Sequence, residues 1–464
     1  MNLTESLQNK INDLYNDTPE NIHGVGLGYK YINNQKTETI GIIFTVYKKK
    51  SLSELTQDEI LPNSIEVNNI SYVTDVIEET SIPSALACYS STTTIDPEIL
   101  RLRGDPSFLF PIKGGQEILR YPHDWVASAD DGGWSIIMGT LGLLAIDNHD
   151  NNIVGITNAH VACSNPFIAS DRTGSELVDP YNIIEPTPWA LLGNPSIKFE
   201  PGLLCFNVPE SVFFSSPRIK RYQPIRKQAT NTVDCAVMFL TNDTIMSPDN
   251  IVTNNSFGIH APSTEPVSSL KPPFATTADL NSLLTTNPFL FSTGRTTGPK
   301  GWGQTSSCRL VITGVGKSAS IDFHTTASIP FSNLIEYKYE DGSARPSDEG
   351  DSGSAVLANI DGTVKVIGLL FAGDTTKAYL CRIDEIVQKL NIRAWGDDYV
   401  FNASAPCGNP YTDLSQPAPV NPTLSQIVVC DFNDARSSSD SVEINGVKYY
   451  QAGCTTNNTY TNID

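Results

Sequence analysis

Between about residues 105 and 391 the chain is a long succession of short apolar runs, each closed off by Gly, Pro, Asn or Ser. Apolar runs of about four to eight residues between turn formers read as strands, and their steady return excludes a helical bundle. The 32 Gly and 30 Pro supply the turns that such a pattern needs. The series ends in one amphipathic segment, residues 383–390. Strand after strand, then a terminal helix, predicts a mainly β fold of two packed β-barrels over residues 105–393.

Two further sections flank this one. Residues 1–85 predict a small α/β module. Leu3, Leu7, Ile11 and Leu14 recur at helical spacing, which predicts a short amphipathic helix. Gly24-Val25-Gly26-Leu27-Gly28 is a glycine-rich motif, but no helix follows it and no P-loop Lys-Ser/Thr pair appears. It is therefore expected to be a glycine turn rather than a nucleotide loop. Residues 39–50 alternate as a strand does, residues 51–60 predict a helix capped by Ser51 with Glu54 three residues on, and residues 73–77 predict another strand. Residues 394–464 open on a linker marked by Pro406, Pro410, Pro417, Pro419 and Pro422, followed by a small β-rich tail at 427–432 and 441–450.

Charge narrows the partners. With 31 basic against 51 acidic residues the formal net charge is −20, a field that repels nucleic acid and anionic membrane. Proteins or peptides are the expected partners; self-association as a homo-oligomer stays open. Residues 1–17 lack the positive start and apolar run of a secretory signal, so a cytoplasmic location is expected. The nine cysteines are scattered without metal-ligand spacing and read as free thiols.

Three local patterns point to one chemistry. Thr157-Asn158-Ala159-His160-Val161 follows the apolar residues 153–156, so the imidazole can project from a strand end. Asp234 stands in Thr232-Val233-Asp234-Cys235-Ala236-Val237, an apolar run where a carboxylate is costly unless a hydrogen-bonding or positive group meets it. Glu349-Gly350-Asp351-Ser352-Gly353-Ser354 is the strongest pattern. Its glycines permit a sharp turn that projects the Ser352 hydroxyl while the Gly350 and Ser352 amides converge as an oxyanion hole. The order His, Asp, Ser, with gaps of 74 and 118 residues, matches one known ordering of the catalytic triad and places His160 and Asp234 in one barrel, Ser352 in the next.

With these residues in place the chain resembles the chymotrypsin-like serine peptidases over residues 111–390. It is also similar to their Nal1-like bacterial and plant branch. That second likeness rests on Gly24-Val25-Gly26-Leu27-Gly28-Tyr29-Lys30, Val46-Tyr47-Lys48-Lys49-Lys50, Thr74-Asp75-Val76-Ile77-Glu78, Pro111-Ile112-Lys113-Gly114-Gly115, Gly139-Thr140-Leu141-Gly142 and Gly368-Leu369-Leu370-Phe371-Ala372-Gly373. The resemblance implies a serine endopeptidase without metal or organic cofactor, acting on a restricted intracellular protein. It implies that Phe371, Ala372 and Gly373 form the edge strand that receives the substrate backbone. Gly294-Arg295-Thr296-Thr297-Gly298 looks like the start of the second barrel in bacterial members. By that likeness Arg295 pairs with buried Asp351 and holds the oxyanion loop without an activating cut. Where tryptic enzymes carry an Asp six residues before the nucleophile, this chain has Pro346, which argues against a tryptic pocket.

Two rivals use the same residues: an inactive scaffold on the protease fold, and an esterase. The extended Pro-rich linker is also a candidate for self-processing. Arg295→Ala is expected to yield a folded protein of very low activity; near-normal turnover would rule the pairing out.

Overall fold

The computed structural model describes residues 2–17, 21–32, 35–57, 59–79, 81–86, 114–115, 117–120, 137–151, 153–163, 166–168, 218–227, 229–239, 259–260, 269–294, 296–301, 309–323, 328–342 and 345–395, together with strand residues 441–444, 447–451 and 460–462. The protein is mainly β, and two sheets carry the argument. A twelve-stranded sheet runs from Gly298–Lys300 through Leu290–Gly294, Ala355–Ile360, Thr363–Gly373, Ala378–Arg382, Ile329–Tyr339 and Leu310–Ile321. It then continues into Ile22–Ile32, Gln35–Val46, Ile70–Glu78 and Ser64–Val67, and the twelfth strand, Ser84–Ala85, pairs off this path with Thr363–Gly373. A five-stranded sheet is ordered Arg218–Tyr222, Ala236–Phe239, Ile153–Thr157, Leu143–Asp147, Ile392–Ala394. Among the described residues neither sheet closes on itself through these pairings.

The N-terminal strands share a sheet with residues from the centre of the chain. Ile22–Ile32 pairs antiparallel with Leu310–Ile321, Gly24 opposite Ala319 and Gly28 opposite Gly314. The glycine-rich motif lies inside this strand; it is not a turn. Its glycines give room on one face of the strand, where a Cβ on Gly26 would come within 2.9 Å of the Lys317 Cα. The Lys317 stem fills that space and its amine donates to Thr45 Oγ1 at 2.6 Å. On the other face Val25 and Leu27 are buried in the core. Here a glycine series means close approach of neighbouring chain rather than chain reversal.

Residues 51–60 also depart from expectation. The Ser51 amide donates to Glu54 Oε2 at 2.8 Å and the Thr56 amide to Glu59 Oε2 at 2.9 Å. These are two single turns, each closed by its own carboxylate, and no helix forms among the described residues of this stretch. Leu52 is 76% exposed, so no apolar face offsets the cost of nucleating a helix. The helix Glu5–Asn16 has such a face: Leu7 and Ile11 are buried, and Thr4 caps it by accepting the Leu7 N–H. In the tail, Ser441–Ile444, Val447–Gln451 and Tyr460–Asn462 form a three-stranded sheet, while residues 427–432 lie outside the described residues. No helix of the described residues is long and apolar enough to cross a membrane.

The helix Ile383–Leu390 follows the Ala378–Arg382 strand, buries Ile383, Ile386 and Leu390, and ends at Asn391 in the left-handed region. Ile392–Ala394 then pairs with Leu143–Asp147, returning the end of this stretch to the five-stranded sheet. Buried electrostatics fix that return. Arg221 donates to both Asp147 oxygens at 2.6 and 2.8 Å, and its Nε donates to the Leu390 carbonyl at 3.0 Å. Burial works to raise the Asp147 pKa, but Arg221 and Lys220 outweigh it and hold the carboxyl down at about 2. A carboxyl depressed in this way contributes stability above its unfolded value, and that contribution is lost as pH falls through about 4 towards 2. Asp147→Asn leaves the buried Arg221 guanidinium without its carboxylate, while Lys220 keeps Asp150, and is expected to lower the unfolding free energy by about 3–5 kcal/mol, measured by denaturant titration at neutral pH.

Candidate active site

Each side chain of the site is set by its local fold. The strand Ile153–Thr157 is buried along its length and ends at Asn158, from which the short helix Ala159–Ala162 turns. His160 sits on that first turn. Ala236–Phe239 pairs with the same strand, Ala236 opposite Thr157, so Asp234, two residues earlier, comes to lie beside the helix. Asp234 Oδ1 accepts the Ala159 and His160 amides at 2.7 and 3.1 Å, and its Oδ2 accepts from His160 Nδ1. Asn158 Nδ2 donates to the Asp234 carbonyl at 2.6 Å. The carboxylate is wholly buried, and these three N–H groups replace the water it has lost.

Ser352 arrives from the other sheet. Gly350 and Gly353 flank it at φ of +92° and +95°, values that only glycine adopts without strain. The turn is closed by the Asp351 amide on the Asp348 carbonyl and the Ser354 amide on the Asp351 carbonyl, both 3.0 Å. The serine turn packs here against the end of the strand Ile137–Thr140, which pairs with Glu117–Arg120, and against the residues that lead from it into Leu143–Asp147. The Thr140 amide donates to the Ser352 carbonyl at 2.7 Å, and Thr140 Oγ1 donates to the Gly350 carbonyl at 2.9 Å. A Cβ on Gly353 would lie 2.1 Å from the Thr140 carbonyl oxygen, and one on Gly142 would lie 2.3 Å from that of Gly353. So the Gly139-Thr140-Leu141-Gly142 landmark is a contact surface for the serine turn.

The result is a line of three groups. Ser352 Oγ and His160 Nε2 are 2.8 Å apart, and His160 Nδ1 meets Asp234. Facing Asp234 with Nδ1–H leaves Nε2 as an acceptor for the hydroxyl proton. His160 is 3% exposed and Ser352 0%, so the line is closed to bulk water. Ser352 Oγ also lies 3.0 Å from the Phe371 carbonyl, a hydrogen-bond acceptor. Phe371, Ala372 and Gly373 end the strand Thr363–Gly373, which runs beside the serine turn. The Gly350 amide makes a hydrogen bond; the Ser352 amide has no backbone partner among the described residues.

Several contributors carried no signal strong enough to find in the sequence. Phe323 packs edge-on to the His160 ring with centroids 5.6 Å apart, and is itself backed by Phe331 and that in turn by Phe371. Cys381 Sγ accepts the Asp234 amide at 3.2 Å. Burial and then the Asp234 charge raise this thiol well above its ordinary pKa, so it serves as a neutral acceptor. Arg295 lies outside the described residues. Among the described residues Asp351 accepts the Thr296 and Thr297 amides at 2.8 and 3.0 Å, Thr297 Oγ1 at 2.6 Å, and the Asp348 amide at 3.0 Å. Buried Lys300 stands 3.7 Å away; burial lowers its pKa and the Asp351 charge opposes that. Among the described residues no group of three or more His, Cys, Asp or Glu is placed to hold a metal.

No family model matches the chain, and no curated protein matches it. Among solved structures it is similar to a Nocardiopsis protease, at 12% identity and a TM-score of 0.30, over 56% of this chain and 93% of that one. It is similar to a glutamic acid-specific serine protease at 11% identity and a TM-score of 0.31, over 61% and 100% of the two chains. A third likeness is to Thermobifida fusca protease A, at 12% identity and a TM-score of 0.31, over 61% and 97%.

The anchoring of Asp351 yields a direct measurement. Thr297→Val removes one hydrogen bond to a buried charge and is expected to cost about 1.5–3 kcal/mol in thermal unfolding. An unchanged melting curve would show that the hydroxyl does not hold the serine turn.

Proposed function

We propose that the chain is a serine endopeptidase. Ser352 attacks the substrate carbonyl, His160 takes the hydroxyl proton and later passes it to the leaving amine, and Asp234 fixes the imidazole and steadies its charged form. One observation carries the reading: Ser352 Oγ lies 2.8 Å from His160 Nε2 while His160 Nδ1 is held by Asp234. A hydroxyl, an imidazole and a carboxylate drawn from two sheets meet in hydrogen-bond order, at the separation that proton transfer requires.

The Gly350 amide, with that of Ser352, supplies the oxyanion site, where one such donor contributes about 3 kcal/mol to lowering the barrier. A peptide adds as a strand to Phe371, Ala372 and Gly373. On this reading the five-stranded sheet and the strands between residues 290 and 382 are the two halves of a chymotrypsin-like double β-barrel. Placement in the Nal1-like branch rests on the motifs of residues 24–78 and remains part of the proposal, as does Arg295 as a cation beside Asp351. The substrate is a protein, in keeping with a net charge of −20 that disfavours polyanions.

Purified wild-type, Ser352→Ala and Asp234→Asn chains, offered an unfolded protein substrate, test the assignment. Ser352→Ala should show only background hydrolysis. Asp234→Asn should fold, by circular dichroism, yet lose about 10⁴-fold in kcat because the imidazole takes the wrong tautomer. Turnover surviving in Ser352→Ala would reject the mechanism.

A further inference from the structure

After the strand Ile70–Glu78 the chain turns back along the molecule. The Glu79 amide donates to the Val46 carbonyl at 2.8 Å, and its carboxylate pairs with Lys377. Ser84–Ala85 then forms a short antiparallel strand on Thr363–Gly373, Ser84 opposite Gly373 and Ala85 opposite Ala372. The Leu86 amide donates to the Phe371 carbonyl at 3.1 Å. The Leu86 carbonyl accepts the Gly350 amide at 2.5 Å. Its side chain is 1% exposed and packs by Gly373, where an added Cβ would meet Leu86 Cδ1 at 3.4 Å and Ser347 Oγ at 2.9 Å. The other edge of the segment is held by Asp322, which accepts the Ala85 amide at 2.7 Å and donates to the Pro83 carbonyl at 2.9 Å.

These contacts are the ones a bound substrate needs. The backbone is added to the edge strand, a side chain is enclosed beside Ser347 and Gly373, and a carbonyl oxygen sits on the oxyanion amide next to the nucleophile. Packing alone gives no reason for one leucine to engage Phe371, Gly350 and the wall of the cleft together. The carbonyl on Gly350 belongs to Leu86, so the bond presented is the one that joins Leu86 to the next residue in sequence, Ala87.

We propose that the chain is its own first substrate: Ser84–Leu86 is a substrate strand bound in cis, and Ser352 cleaves the peptide bond between Leu86 and Ala87. The proposal rests on the serine endopeptidase reading above and adds a specificity to it, an apolar side chain of leucine size before the cut. Ser352 Oγ bonds to the Leu86 carbonyl carbon and passes its proton to His160 Nε2. The carbon–nitrogen bond breaks, and the nitrogen leaves with that proton as the Ala87 amine. Water then attacks the ester, His160 again carrying the proton, which frees the Leu86 carboxylate and restores the Ser352 hydroxyl. One water is consumed. Residues 22–32 remain paired with 310–321 after the cut, so the new terminus stays tethered at the cleft.

Intact-mass analysis under denaturing conditions, with N-terminal sequencing, tests this on the full chain. Wild type should yield fragments 1–86 and 87 onwards, and so should Leu86→Met, which keeps volume and polarity. Ser352→Ala and Leu86→Asp should stay uncut at this bond. Cleavage should be first-order, with a rate unchanged over about a hundredfold dilution, and added wild type should leave Ser352→Ala intact. A fluorophosphonate should label Leu86→Asp about tenfold or more faster than wild type, because the tethered strand, cut or uncut, competes at roughly millimolar effective concentration. A wild-type chain that stays whole while the probe labels its Ser352 would overturn the proposal and leave the segment an uncut plug. Cutting at this bond in Ser352→Ala would overturn it too. If Ser352 takes up no probe in either wild type or Leu86→Asp, both folded by circular dichroism, the endopeptidase reading itself fails and this inference falls with it.

Discussion

The hydrogen bond between Ser352 and His160 crosses from one sheet to the other, and it survives only if the two sheets are held in fixed register. What holds the serine turn against the residues leading into Leu143–Asp147 is largely backbone against backbone. Thr140 donates through both its amide and its hydroxyl to the serine turn, and glycines on the two sides let carbonyl oxygens pass where any side chain would collide. Such contacts are stiff in a way that side-chain packing is not, because no rotamer change can accommodate a shift. A site built from groups on separate sheets needs this stiffness, since misplacement by about an ångström costs orders of magnitude in rate.

The second theme is how buried charge is satisfied. Asp234, Asp351 and Asp147 are all nearly or wholly buried, and each is met by a different donor set. Asp234 takes two amides and the imidazole, Asp351 takes amides and a threonine hydroxyl with Lys300 nearby, and Asp147 takes a guanidinium through two N–H bonds, one to each oxygen, with the Lys220 amine beside it. The difference matters for what each does. Backbone amides around Asp234 fix the carboxylate while leaving its second oxygen for the imidazole. The guanidinium on Asp147 neutralises charge outright and serves only to tie the end of the Ile383–Leu390 helix to the five-stranded sheet.

The N-terminal residues are woven into this arrangement. Their strands extend the larger sheet by pairing with Leu310–Ile321, and residues 84–86 beyond them bond to Phe371–Gly373 and Gly350. An element read from sequence as a separate small module is thus in hydrogen-bonded contact with the groups that surround Ser352. The connection runs from Glu79 on Lys377, through Asp322 on residues 83–85, to Leu86 beside Gly350.

Much of the candidate site was legible because its residues stand in short, locally costly patterns. A serine between glycines, an aspartate in an apolar run and a histidine at a strand end each violate ordinary folding preferences, and their order along the chain was informative. The strand-rich character was legible for a similar reason, through alternation and turn residues. Local signals misled where the reason for a residue lay elsewhere in space. Gly24, Gly26 and Gly28 stand in a strand because Lys317 and its neighbours need the room, and Ser51 with Glu54 closes a single turn because no apolar face follows. Phe323, Cys381 and Lys300 had no periodicity or motif to mark them. Sequence by itself therefore determined which residues are chemically exceptional and what kind of element carries each. Long-range folding settled which of them meet, that Asp351 rests on Thr296 and Thr297, and that Leu86 lies against Phe371 and Gly350. Those are long-range pairings set by sheet register and close backbone approach, and neither leaves a mark in the local order of residues.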